Sequence, residues 1–295
     1  MRRALALVAL AAGCGAAGCG DSAESAGRSD RLVDFSKRPP FVNSLERDER
    51  SGEFLVTTNR GFFRIDPESD RVRRVRATIA ARGKVSPLGT FLELDLDPEG
   101  ELVGSGHPDR RTLPQYLGYL RSDDGGRNWR VVSRLGTADL HKIVFKHDRL
   151  YAWDAVLGAL VVSEDGGRSF VEHFTPRGLI IDFEVDPEDP AHVLAATDDT
   201  LFRSEDEGES WRPLLQREGT RLAWPEPDQL VMAAKDGTIS VSEDGGDTFD
   251  DVGRVDGEPY VIDAVSGNEL YMALSDATLL RSEDGGANWE EEFRP

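Results

Sequence analysis

Cysteine is nearly absent from this chain: there are two in 295 residues, Cys14 and Cys19. Both fall in the first 19 residues, so the part that folds has no disulfide and no thiolate chemistry, and its stability has to come from packing. Histidine is scarce, with five in all, and no HExxH or other close ligand spacing occurs. Basic residues are outnumbered, 35 Lys and Arg against 55 Asp and Glu, for a formal charge of −20. Such a surface repels phosphate backbones, which argues against DNA or RNA as a partner. The acids are scattered rather than collected in a run, as on a solvated surface. The apolar run "ALALVALAA" near the start is too short to span a bilayer as a stable helix. What is present suffices for a core: 39% of residues are hydrophobic, and the length allows one large or two ordinary domains.

The first 19 residues differ in kind. A basic "MRR", the apolar run and the small residues of "AAGCGAAGCGDS" make an export signal. The segment resembles a bacterial lipoprotein signal, which is cut just before a Cys whose thiol becomes lipid-modified. That resemblance implies lipidation at Cys19, or at Cys14, since each ends an "AAGC"; neither has the Leu usual three residues before the Cys. Cys19 leaves the fuller signal and precedes the polar stretch "GDSAESAGRSD". The expected layout is a signal over 1–19, a tether over 20–38 and one folded domain over 39–295. The protein is then an exported cell-envelope protein on the outer side of the cytoplasmic membrane, attached by lipid alone.

The folded part is dominated by one repeated octet: "SDDGGRNW" (122–129), "SEDGGRSF" (163–170), "SEDEGESW" (204–211), "SEDGGDTF" (242–249) and "SEDGGANW" (282–289). A period near forty residues marks a repeated supersecondary unit. Before each box come short alternating runs separated by Gly, Pro and Asp, as in "IDFEV", "DPEDP", "HVLAAT", "DDT", "LFRS". That pattern predicts strands and hairpins, four per unit. The expected fold is all-β, a six-bladed propeller with blades starting near Phe41, Phe91, Leu140, Ile181, Arg221 and Tyr260. "RLVDF" (31–35) is expected to close the ring by adding an edge strand to the last blade.

The boxes resemble the Asp-box, or BNR, repeat of sialidases, sortilin-like receptors and photosystem-assembly propellers, in which the box is the hairpin turn between third and fourth strands. The resemblance implies a structural role for Asp124, Asp165, Asp206, Asp244 and Asp284. The residue types agree: Asp can accept bonds from the turn's own amides, and the aromatics Trp129, Phe170, Trp211, Phe249 and Trp289 can fill the gap between blades. The run from 104 to 145 also looks like a bacterial lipoprotein family of Asp-box propellers labelled glycosyl hydrolases. That family opens blade one with His-Ile-His-Gly, where this chain has "FVNS".

If every box lies on one face of the disc, the starts of the first strands and the loops between second and third strands lie on the other, around the channel mouth. This register argument selects Asn43, His107 and Asp109 of "GHPD", Asp139 and His141 of "DLHK", Asp154, Asp182 and Asp263 as ligand-binding candidates. The insertion 105–119 is the longest departure from the repeat, where ring proteins usually keep specificity. His107 and His141, with Asp109, Asp139 or Asp154, are the candidates for a divalent metal or for acid and base chemistry; no other cofactor is expected. His147, His173 and His192 read as surface. Arg64 of "FFRID" resembles the arginine of the sialidase Phe-Arg-Ile-Pro motif, but it shares its repeat position with Arg121, Arg203 and Arg281, so it reads as a third-strand residue.

These readings converge on a lipid-anchored monomeric propeller that binds a carbohydrate or protein partner in the cell envelope on the face opposite the boxes. The competing readings are an extracytoplasmic glycoside hydrolase or lyase using His107, Asp109, His141 and Asp154, and an assembly factor for an envelope or membrane complex.

Overall fold

The computed structural model describes residues 31–32, 40–108 and 113–295, and among them there is no helix. The strands form six successive sheets. The first holds β1 (Arg31–Leu32), β2 (Val42–Asp48), β3 (Glu53–Thr58), β4 (Gly61–Asp66) and β5 (Arg71–Val75). The second holds β6 (Thr78–Ala81), β7 (Lys84–Leu96), β8 (Leu102–Pro108), β9 (Tyr119–Ser122) and β10 (Asn128–Ser133). The third consists of β11 (Leu140–Lys146), β12 (Arg149–Asp154), β13 (Ala159–Ser163) and β14 (Val171–His173), and the fourth of β15 (Asp182–Val185), β16 (Val193–Ala196), β17 (Thr200–Ser204) and β18 (Arg212–Gln216). The fifth consists of β19 (Arg221–Glu226), β20 (Gln229–Ala233), β21 (Thr238–Ser242) and β22 (Asp250–Arg254), and the sixth of β23 (Pro259–Ala264), β24 (Leu270–Leu274), β25 (Leu279–Ser282) and β26 (Glu290–Phe293).

Two expectations are corrected. The six alike four-stranded blades become five open blades, because the second sheet closes on itself. Its long β7 pairs with β6 through its first half and with β8 through its second. The β6–β7 hairpin thereby curls round until β6 lies parallel to β10, with Thr78 opposite Asn128 and Ile79 opposite Trp129. The N-terminal strand also joins a different edge: Arg31 pairs with Arg74 and Leu32 with Arg73, so β1 extends the first blade and not the last. The rest of "RLVDF" lies outside the described residues.

The core lies between sheets, in six apolar clusters that each join two neighbours. Leu55 and Phe62 of the first sheet pack with Ile79, Leu120 and Trp129 of the second, and Tyr119 of the second with Leu140 and Val161 of the third. The series runs round to Phe54, Val56 and Ile65 of the first sheet against Tyr271, Ala273 and Phe293 of the last. Burial on both faces explains why β16 (VLAA) and β24 (LYMAL) are continuous apolar runs, buried at every position. The outer strands β18 and β22 have no buried position.

Each box links the last two strands of its sheet. In "SEDGGRSF", Ser163 Oγ donates to Asp165 Oδ1 and accepts the Gly167 amide, both at 2.8 Å. Asp165 Oδ1 accepts the Arg168 and Ser169 amides at 2.9 Å, and Oδ2 accepts Ser169 Oγ at 2.6 Å. Equivalent bonds hold Asp124, Asp206, Asp244 and Asp284. The Ser169 and Thr248 hydroxyls are the main reason that Asp165 and Asp244 have pKa values lowered to about 2. Gly167 adopts φ +81°, and a Cβ there would overlap the Tyr119 ring of the preceding sheet. The turn is thus also a contact between blades.

Candidate functional site

Strands β2, β7, β11, β15, β19 and β23, one from each sheet, surround an axial cavity of about 360 Å³. Asn43, His141, Asp182 and Asp263, four of the residues selected by register, line it. So does a set of charges inside these strands: Glu46 on β2, Glu93 and Asp95 on β7, Lys142 and Lys146 on β11, and Glu184 on β15. Side chains two apart on a strand share a face, so 93 and 95, or 182 and 184, project together.

One side of this cavity is internally paired. Lys142 Nζ lies 3.3 Å from Asp182 Oδ1 and 3.5 Å from Glu184 Oε1, and Lys146 Nζ lies 3.3 Å from Glu184 Oε2. Lys146 also donates to the carbonyls of Val185 and Trp224, at 2.7 and 2.5 Å. Asp182 is buried and accepts the Leu222 amide at 3.0 Å, tying the fourth sheet to the fifth. Burial opposes the charge of Lys142, but Asp182, Glu184 and Glu93 outweigh it and its pKa rises above the ordinary value. Burial prevails at Lys146, whose pKa is lowered despite Glu184.

The other side is not paired. Among the described residues, Glu46, Glu93, Asp95 and Asp263 have no ion-pair partner. Burial, reinforced by Asp263 and Asp95, pushes Glu46 well above the usual carboxylate range. Burial likewise raises Glu93 well above it, against the pull of Lys142. Asp95 is pushed up to about 8 by burial and by Asp263. Asp263 rises to about 6 by burial, restrained by Lys142 and by the amides of Ala264 and Arg47. Protons neutralise this side more readily than the rest of the surface.

The histidines of the insertion and of β11 meet at one carboxylate. Asp139 Oδ1 lies 3.7 Å from His107 Nε2, and Asp139 Oδ2 lies 3.5 Å from His141 Nε2. His107 Nδ1 is 2.8 Å from the Gln115 carbonyl, which fastens the insertion back on β8. Asp154 is engaged elsewhere: it is fully buried, accepts the Asp139 and Val156 amides at 3.2 and 3.0 Å, and pairs with Arg134 at 3.2 Å. Asp109 lies outside the described residues, as do Cys14 and Cys19. No group of three His, Cys, Asp or Glu among the described residues is placed to hold a metal ion. His192, expected at the surface, is buried at 6% exposure, with Nδ1 3.0 Å from Asp186 Oδ2 and its ring edge-on to Trp224. The turn "DPEDPAH" folds it back under its own loop through Asp186.

Register reasoning found strand starts and missed strand interiors. The signal was available as charged residues an even number of positions apart in the runs "FLELDLD" (Glu93, Asp95), "LHKIVFK" (Lys142, Lys146) and "IDFEV" (Asp182, Glu184). In an antiparallel blade packed on both faces such charges need a polar space, and the axis supplies it.

No protein-family profile matches the chain. A curated relative, the dispase autolysis-inducing protein of Streptomyces mobaraensis, is 32% identical over 95 residues, which are 32% of this chain and 25% of that protein. The chain therefore spans about a quarter of the length of that relative. Solved structures share the fold. The WD40 β-propeller domain of Doa1 superposes with a TM-score of 0.58 at 12% identity, covering 90% of this chain and 86% of that one. A GH74 xyloglucanase from Xanthomonas campestris gives 0.57 at 21% identity, over 85% of this chain and 38% of that one. YCF48 bound to a D1 peptide gives 0.50 at 14%, over 90% and 84%. The chain is a β-propeller.

Proposed function

We propose that this protein is an exported, lipid-anchored propeller of the Asp-box kind that binds a protein partner of the cell envelope at the channel mouth, on the face opposite the boxes. The observation that carries the reading is the exposed apolar surface around that mouth, at the head of an axial cavity whose unpaired acids, Glu46, Asp95 and Asp263, lie further along the strands. Beside the axial cavity, Phe41 is 55% exposed and tilts against Tyr260 at 6.0 Å, with the Arg221 guanidinium 5.5 Å from the Tyr260 ring. Val156 and Leu157, in the β12–β13 turn, and Leu179, just before β15, are exposed too. Strand connectivity assigns these segments to the same face. A segment that carries basic and apolar side chains complements such a surface, since charge steers the encounter and aromatic contacts hold the complex. The boxes are unavailable for that work because their carboxylates are consumed by their own turns. A structural neighbour that carries a bound peptide is in keeping with a peptide-binding role.

The test is fluorescence-anisotropy titration with a panel of Lys/Arg-rich peptides bearing an aromatic residue. Saturable binding that weakens with salt and is lost in Phe41→Ala and Tyr260→Ala is expected. Binding that is indifferent to both substitutions refutes the site. The hydrolase reading, which the xyloglucanase neighbour motivates, would instead rest on the cavity carboxylates. Turnover of xyloglucan oligosaccharides that is abolished by Glu46→Gln or Asp263→Asn would establish it in place of the peptide reading.

A further inference from the structure

The ring closes where β2 of the first blade meets β23 of the last, and among the described residues no strand is shared across that seam. β1 adds to β5 within the first blade, and β23 to β26 make up the last blade by themselves. Apolar packing closes the seam away from the axis, through Val42, Leu45 and Phe54 on one side and Tyr271 and Ala273 on the other. Toward the axis the seam presents carboxyls from both blades, Glu46 from β2 and Asp263 from β23, with Asp95 of β7 beside them. Glu46, Leu96, Asp263, Ala264 and Val265 line both the axial cavity and a second one of about 690 Å³. Glu46 and Asp263 thus lie where two cavities meet, with Asp95 in the axial one.

We propose that Glu46, Asp263 and Asp95 form a proton-dependent clasp at the closing seam of the ring, which holds the first and last blades together while the carboxyls are protonated and loosens as they ionise. This is a property of the ring itself and does not depend on the partner-binding reading. Ionisation would set like charges across a junction that, among the described residues, has no strand pairing to resist them. The cations facing the cavity are committed elsewhere. On β11, Lys142 and Lys146 hold Asp182 and Glu184 of β15, and His141 lies against Asp139. On β19, the Arg221 Nε donates to the Tyr260 carbonyl of β23 at 2.6 Å, with its guanidinium over that ring. Arg47, next to Glu46, lies over the rings of Phe54 and Tyr271. Glu93 of β7, itself buried, adds a fourth carboxyl to the same side, where Glu46, Asp95 and Asp263 are half-buried.

The sign follows from proton counting. Asp95 at about 8, Asp263 at about 6, and Glu46 and Glu93 well above their ordinary range keep protons in the folded chain that the unfolded chain has released. Their contribution is fully present below about pH 4, where the unfolded groups are protonated as well, and it is lost as pH rises through the folded values. Lys142 holds its charge throughout this window and adds no slope. His192 and Lys146, both lowered by burial, act in the opposite sense.

Scanning calorimetry of the unaltered chain near pH 6.5, in two buffers of different ionisation enthalpy, counts the protons. Net release on the order of one to two protons per molecule unfolded is expected, with a thermal midpoint that falls by several degrees from about pH 5 to about pH 8. Hydrogen exchange, corrected for intrinsic rates, places the effect: β2 and β23 should lose protection as pH rises, while β12 and β16 keep theirs. Glu46→Gln with Asp263→Asn should flatten the pH dependence and raise the midpoint at the alkaline end. No proton release, or a midpoint that is level or rising over this range, overturns the clasp. The proton count needs no variant, so it decides the matter even if the double substitution fails to fold.

Discussion

Replacing Gly167 by Ala tests whether the boxes are the joints between blades. Two costs add at this position. Its φ of +81° lies in the left-handed region, where a Cβ costs about 1–2 kcal/mol. The new methyl would also overlap the Tyr119 ring, a fully buried side chain of the preceding sheet, and overpacking of that kind costs about 1–3 kcal/mol. The sum is about 2–5 kcal/mol. Gly158, in the β12–β13 turn, supplies an internal control: its φ is +65°, and a Cβ there meets nothing within 4 Å. Gly158→Ala should therefore cost the backbone part alone, about 1–2 kcal/mol. Urea unfolding of the three proteins, followed by tryptophan fluorescence and compared at equal m-value, gives the difference directly. Equal destabilisation by the two substitutions would refute the argument, since it would mean that the box glycine has no role in packing one blade on the next.

Asp182→Ala should destabilise by about 3–5 kcal/mol, because it strips Lys142 of one partner and leaves the buried Leu222 amide without its acceptor; denaturant titration beside Asp182→Asn, which keeps an acceptor, should show the smaller loss for Asn. The box aspartates set the acid limit of stability. Asp165 and Asp244, with pKa values lowered to about 2, contribute stability that is present above the unfolded value near pH 4 and lost as pH falls through about 2. Thermal midpoints between about pH 4 and pH 2 should fall steeply in the wild type and less steeply in Asp165→Asn, whose midpoint is already lower at neutrality.

The parts of this structure that were legible are those in which sequence neighbours do the work. A box needs only its own eight residues, Ser163 and Asp165 bonding amides three to four positions on, so five copies announce five turns and a period. Alternation announced the strands, and register placed Asn43, His141, Asp182 and Asp263 at the axis. Choices between distant edges were not legible. Nothing local distinguishes β1 on β5 from β1 on the last blade, and nothing in "TIAA" announces that β6 will lie parallel to β10. Asp154 looked like a free acid in a loop, yet it ends β12, and Arg134 from the preceding connection takes it into the core. The charges of the axial cavity were missed for a different reason. Glu46, Glu93, Asp95 and Lys142 sit in strand interiors, where charge ordinarily signals an exposed face, and only a ring of strands makes that face an enclosed one.

The most direct measurement is hydrogen exchange of the chain with and without the tightest-binding basic peptide of the panel. Protection is expected over residues 41–46, 140–146 and 259–263, the strands that meet at the channel mouth, with the five boxes unchanged. Protection confined to residues 163–170 and 204–211, or to any other box, would contradict the account, for it would place the working surface on the face assigned here to the frame.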